Sequence, residues 1–237
     1  CARTGSATAF ALTVWLIGWA AGRWWGRGPG AAAALALVLL PRPFSHAHLA
    51  VLETITNLTC TAALLTSLWA TQREQPASRA AVLAGLAAGA ALLTKIQAIL
   101  WMPLLTLLWA SSIRRLGWWP AALWFATTVC VFFVAWPWLW LDPIGHVLQY
   151  LGRTTNRIEL SVWYFGQRFG DRSVPWHYPF VVFFGTTPVV LLCLALLGGI
   201  RSRRQARGSE WTLRREGVLA IAVLLPLAVF ALPGIAV

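Results

Sequence analysis

The chain has 237 residues, 59% hydrophobic and only 11% charged, with a mean hydropathy of +0.68. Soluble domains carry roughly 25% charged residues, so a water-soluble fold is excluded and an all-α polytopic membrane protein is expected. The net charge of +12 does not mark a nucleic-acid binder, because the arginines fall in short gaps between apolar runs and form no basic face.

The apolar runs read as about eight transmembrane helices. The first covers Thr8 to Ala21 and ends at Arg23 and the Trp24–Trp25 pair, placed to anchor at the interface. The second, Pro29 to Leu40, is short: its twelve residues reach only ~18 Å of a ~30 Å hydrocarbon core. The third spans His48 to Thr71. The fourth, Ala80 to Thr94, is rich in alanine and glycine, which lets helices approach closely. It ends at Lys95, and the fifth follows at once from Ile96 to Ala110. The sixth runs from Pro120 to Ala135, the seventh from Pro179 to Ile200, and the eighth from Val218 onward. All of residues 1–237 read as a single transmembrane domain, interrupted by one long polar segment at 136–178.

That segment carries patterns of its own. Asp142-Pro143 reads as an N-cap followed by the first helical residue. Ile144, Val147, Leu148 and Leu151 then recur at helical spacing, which predicts an amphipathic helix on the outer leaflet with membrane lipid as its partner. Pro175-Trp176-His177-Tyr178-Pro179 reads as a stiff, extended platform of rings between prolines.

Alternating the loops across the membrane puts twelve of the nineteen Lys and Arg residues on one side and seven on the other. The excess assigns the first side to the cytoplasm. Pro41–Glu53, Lys95 and the 136–178 segment then share the outer face.

Pro41 to Glu53 reads PRPFSHAHLAVLE. Ionisable groups at the mouth of a membrane-buried region call for a function. Glu53, flanked by Val51, Leu52 and Ile55, reads as a recessed, functional carboxylate that must pair with a cation, a metal or a substrate; the plain alternative is a solvated carboxylate at a helix N-terminus. His46 lies seven residues earlier, on the same helical face. His48, five residues earlier, is about 140° away. A divalent metal held by all three therefore requires the helix to begin at His48 with His46 in the turn. Hydrogen bonding of the histidines to a sugar or phosphate is the preferred reading, and no cofactor is otherwise required. Lys95 reads as an anion clamp or as a snorkelling residue, with Arg42 on its side of the membrane. Cys1, Cys60, Cys130 and Cys193 show no metal spacing and read as small buried apolar residues.

The segments PRPFSHAHLAVLE, TKIQ, WPWLWLDP, WYFG and PWHYP, in this order, resemble bacterial relatives of the dolichyl-phosphate-mannose–protein mannosyltransferases of the glycosyltransferase C superfamily. The resemblance runs from the first span to the seventh, and PWHYP and HAHLAVLE are its more specific pieces. It implies transfer of mannose or a similar sugar from a polyprenyl-phosphate carrier to a protein, lipid or glycan hydroxyl. The site would face the periplasm or exterior of a bacterial inner membrane, and the reaction would invert the anomeric carbon. Glu53 would match the family's second acidic position, Lys95 would contact phosphate, and Trp176, His177 and Tyr178 would line the donor or acceptor cleft. The family's principal carboxylate lies between its first two spans, and this chain opens on what matches the second. With Cys1 first and Met102 its only methionine, the chain is expected to be part of a longer protein and inactive alone. The competing expectation is a transporter or channel whose polar path is formed by His46, His48, Glu53 and Lys95. No internal repeat supports it, and its polar groups gather at one surface.

Overall fold

Apolar runs punctuated by glycine, proline and lysine fold as a series of helices. The computed structural model describes residues 2–72, 78–155, 159–205 and 210–235. The chain divides into two units, Cys1–Ala135 and Trp136–Val237.

In the first unit, α1 (Ala2–Trp25) and α2 (Arg27–Leu39) form a hairpin that turns at Gly26. Its φ of 99° lies where side chains are strained, so glycine is required. α3 (Pro41–Ala47) and α4 (Leu52–Thr71) follow, bent by 112° across a short break. α5 (Ser78–Thr94) ends at Lys95, whose backbone is extended. A 3-10 turn, Ile96–Trp101, leads directly into α6 (Met102–Leu116), and Gly117 separates it from α7 (Trp118–Val134).

Small residues set the packing. α5 presents Ala81, Ala84, Ala88 and Ala91, all fully buried. Gly85 faces Trp124 and Thr127 of α7, and Gly89 faces Thr128 and Val131, so α5 and α7 run parallel in close contact. The expected close approach of the alanine–glycine helix is observed, and the Thr128 hydroxyl donates to the Gly85 carbonyl at 3.4 Å. α6 runs along α4: the Trp109 indole N–H donates to Ser67 Oγ at 3.3 Å, and Arg115 Nη2 donates to the Thr71 carbonyl. Trp109 also stacks on Trp124 of α7, with ring centroids 5.8 Å apart.

In the second unit a 3-10 turn, Pro137–Trp140, precedes α8 (Pro143–Thr155). Then come strands β1 (Ser161–Tyr164) and β2 (Gln167–Gly170), α9 (Tyr178–Thr186), α10 (Val189–Gln205) and α11 (Glu210–Phe230). The predicted cap is present: Asp142 Oδ1 accepts the Gly145 N–H at 3.0 Å. Ile144, Leu148 and Leu151 of α8 are exposed, while His146 stacks on Trp138 and Tyr150 packs edge-on against Trp136. This is the two-faced helix the spacing predicts. Removing the cap by Asp142→Ala is expected to weaken α8 by about 1 kcal/mol. Hydrogen exchange would register this as faster amide exchange confined to α8.

Three expectations need correction. Among the described residues, two stretches are long and apolar enough to cross a membrane, Arg3–Trp25 and Ile96–Leu116, or up to four if the bent pairs α3–α4 and α9–α10 each form one span. Eight are not found. The apolar runs are helical, but α2, α5 and α7 have 13, 17 and 17 residues. Lengths of ~20 to 26 Å fall short of a ~30 Å core. The seventh run breaks by 100° at Thr187-Pro188, where proline removes a helix donor and forces Thr187 extended. Second, β1 and β2 pair antiparallel in a hairpin, an addition to an otherwise helical fold. Its turn, Phe165-Gly166, has φ of 48° and 78°, both left-handed as a tight two-residue hairpin turn demands. Third, Cys60 is buried as expected but Cys130 and Cys193 are exposed, because they lie on outward helix faces that the chain leaves uncovered.

Candidate functional site

Glu53 and Lys95 meet because two helix ends coincide. α4 starts at Leu52, so Glu53 falls in its first turn, where a carboxylate complements the helix dipole. α5 lies against α4 and stops at Thr94, delivering Lys95 to the same end. Lys95 Nζ donates to Glu53 Oε1 at 2.9 Å. The Thr59 and Thr94 hydroxyls meet at 3.4 Å between the same two helices. Cys60, Ala91 and Ala98, with Trp101 against them, supply the neighbouring apolar packing. The side chains of Lys95 and Glu53 are 34% and 39% exposed. An ion pair that open contributes only about 0–1 kcal/mol. It is therefore a weak staple, but one that an incoming charged group can exchange.

The remaining first-unit candidates divide. The helix starts at Leu52 and not before His46, so His46 sits on α3 and Glu53 on α4. They do not share one helical face, since that spacing rule holds only along a continuous helix. His46 is nonetheless close enough to interact electrostatically with Glu53. His48 is engaged locally: its Nδ1 lies 2.9 Å from the Phe44 carbonyl, and its ring packs on Phe44 at 4.7 Å. Arg42 is exposed on α3. Among the described residues no three His, Cys, Asp or Glu side chains are grouped to hold a metal ion.

This end of the unit is distinct from the other. Ser6 near the start of α1 reaches the Val51 carbonyl at 3.4 Å, and Phe10 packs edge-on against Phe44 of α3. Arg3, Arg42, His46, Glu53 and Lys95 thus belong to one end of the bundle. Arg23 at the end of α1, and Arg114 and Arg115 at the end of α6 beside Thr71, belong to the opposite end.

Trp176, His177 and Tyr178 form a second cluster, in the second unit. Their backbone is not the extended platform that the flanking prolines suggest. The Tyr178 N–H donates to the Pro175 carbonyl at 2.9 Å, and α9 begins at Tyr178. Pro179 is tolerated there because the first helical turn needs no donor from it. Tyr164, which no ring platform or helical spacing in the sequence marks, completes this cluster. This residue is 8% exposed and lies against His177 and Tyr178, at ring distances of 5.6 and 5.1 Å. Its hydroxyl is buried and makes no hydrogen bond to the protein among the described residues. Burial, with the Tyr178 phenol adding, pushes the Tyr164 phenol above its ordinary range, so it remains a neutral donor. The signal was present: Val162 and Tyr164 alternate with Ser161 and Trp163 before a two-residue turn ending in glycine.

The fold and these clusters define a largely helical chain with two to four candidate membrane spans and a polar pair at one end of its first bundle. Comparison with protein-family models, with curated proteins and with solved structures found no match.

Proposed function

We propose that this chain belongs to a membrane glycosyltransferase that moves mannose or a similar sugar from a polyprenyl-phosphate carrier to an acceptor hydroxyl. The observation that carries this reading is the exchangeable Glu53–Lys95 pair at the end of an apolar helical bundle. A lipid-borne phosphate needs an apolar path for its tail and a cation at the water boundary for its head. Lys95 supplies the cation as a compact point charge. When the phosphate takes Lys95, Glu53 is released beside it as a free carboxylate.

Glu53 accepts the hydroxyl proton of the acceptor, and the acceptor oxygen attacks the anomeric carbon from the side opposite the phosphate. The bond from that carbon to the phosphate oxygen breaks, its electron pair leaves with polyprenyl phosphate, and Lys95 stabilises the new charge. Arg42 adds positive potential at the same end. Within the second unit, Trp176, His177 and Tyr178 offer rings and donors of the kind that bind a sugar. In this reading the basic end, with Arg23 and Arg115, faces the cytoplasm of a bacterial inner membrane, and the Glu53–Lys95 end faces outward.

The direct test is binding of radiolabelled polyprenyl-phosphate mannose to the purified chain in detergent. Lys95→Ala is expected to weaken it at least ~10-fold, since one charge-assisted contact contributes about 1.5–3 kcal/mol. Equal binding of uncharged polyprenol, or an unaltered Lys95→Ala affinity, would remove the reading. One observation favours a transporter instead: backbone breaks lie on both sides of the pair, at Val51 and Lys95, as in discontinuous transporter helices. Solute uptake into proteoliposomes without sugar transfer would select that alternative.

A further inference from the structure

The first 52 residues contain four arginines and no aspartate or glutamate. Two of those arginines, Arg23 and Arg27, are exposed at the mouth of a groove of about 630 Å³ between α1 and α2. Glycine and alanine make its floor: Gly18 and Gly22 from α1, Gly30, Ala31 and Ala34 from α2. One wall is Trp15 and Trp19, whose rings stack at 6.4 Å and are 61% and 49% exposed. The groove therefore has an apolar, aromatic-walled body and a doubly cationic mouth.

The charges at the mouth are unusual for their positions. Arg23 in the last turn of α1 complements that helix's negative end. Arg27, however, is the first residue of α2, where a cation opposes the positive end of the helix. An anion placed between the two arginines would satisfy both of them and the start of α2. The position also separates this groove from the Glu53–Lys95 pair. Ser6 contacts Val51 next to that pair, and Arg23 lies seventeen residues farther along α1, about 26 Å away at helical rise.

We propose that this groove binds an anionic phospholipid, its phosphate held between Arg23 and Arg27 and one acyl chain laid against Trp15 and Trp19 over the glycine–alanine floor. The occupant is a membrane lipid and not a soluble phosphate, because the lining below the arginines is apolar and faces outward along two apolar helices. Each Lys or Arg near an anionic membrane surface adds about 1 kcal/mol of attraction for anionic lipid. The site is independent of the transferase reading, since it uses none of the residues of the polar pair.

The test is native mass spectrometry of the full chain released from detergent with equimolar phosphatidylglycerol and phosphatidylcholine. The wild type is expected to retain phosphatidylglycerol roughly ten- to thirtyfold better, as two arginine contacts allow. Arg23→Gln with Arg27→Gln should abolish the preference, while Arg3→Gln with Arg42→Gln, which removes the same charge from the other end, should preserve it. Ala31→Phe, at an exposed floor position, should reduce retention of phosphatidylglycerol with both arginines intact. Far-ultraviolet circular dichroism confirms that each variant is folded. Equal retention of the two lipids by the wild type would overturn the proposal. An equal loss in the Arg3/Arg42 variant would do so as well, and so would competition by soluble glycerophosphate as strong as by the lipid.

Discussion

Gly89→Leu is expected to destabilise the first unit by about 3 kcal/mol, the upper end of what overpacking a tight contact costs. A Cβ at position 89 would lie 2.6 Å from Val131 Cβ and 2.9 Å from the Thr128 carbonyl oxygen. The second obstacle is backbone, so no side-chain rotation relieves it. α5 and α7 must separate, and the separation also loosens the Thr128–Gly85 hydrogen bond and the stack of Trp109 on Trp124. Gly85 repeats the constraint one turn earlier, with the Trp124 carbonyl 2.7 Å from its would-be Cβ. Reversible unfolding in mixed micelles, followed by tryptophan emission, measures the loss. Gly198→Leu is the control, because a Cβ there meets nothing within 4 Å. If Gly89→Leu proves as stable as Gly198→Leu, close α5–α7 packing does not hold the unit together.

That contact was legible in the sequence. AGLAAGAA announces a helix whose face is small, and small faces exist to be approached. The cap at Asp142 was equally legible, because the cap is a local rule that tertiary structure did not override. What failed were the places where a continuous apolar run conceals a break. His48 to Thr71 reads as one helix by composition, yet Val51 is extended and α4 begins at Leu52. No proline or glycine marks that break; the Val51 carbonyl is occupied instead by the hydroxyls of Ser6 and Thr54, at 3.4 and 3.3 Å. One of these partners comes from α1, forty-five residues away in sequence, so local reading could not supply it. The break at Thr187-Pro188 did carry a signal, a proline inside the run, and apolarity outweighed it.

The candidate site was legible in its members and not in its pairing. Glu53 and Lys95 stand out as ionisable residues at the ends of apolar runs, but sequence assigned them separate duties. Helix spacing instead pointed from His46 to Glu53. Only the packing of α4 on α5 shows that the carboxylate's partner lies forty-two residues downstream. That pairing changes the chemistry asked of both groups. A carboxylate held by lysine is a poor base, and a lysine held by a carboxylate is a poor phosphate clamp, until a ligand separates them.

Glu53→Gln is accordingly expected to lower sugar transfer in the native membrane by at least ~10²-fold, the scale of a lost acid–base group, while leaving the fold intact. The fold should survive because the exposed pair contributes no more than about 1 kcal/mol. Lys95→Ala is expected to act chiefly on donor KM and to leave acceptor KM unchanged. The decisive measurement is the double variant. If donor binding at Lys95 is what frees Glu53, the two side chains act as one unit, and losing both should reduce transfer little further than the worse single change. Independent roles would instead multiply the two losses. An unchanged rate in Glu53→Gln would remove the carboxylate from the mechanism altogether and leave the pair as a clasp between two helix ends.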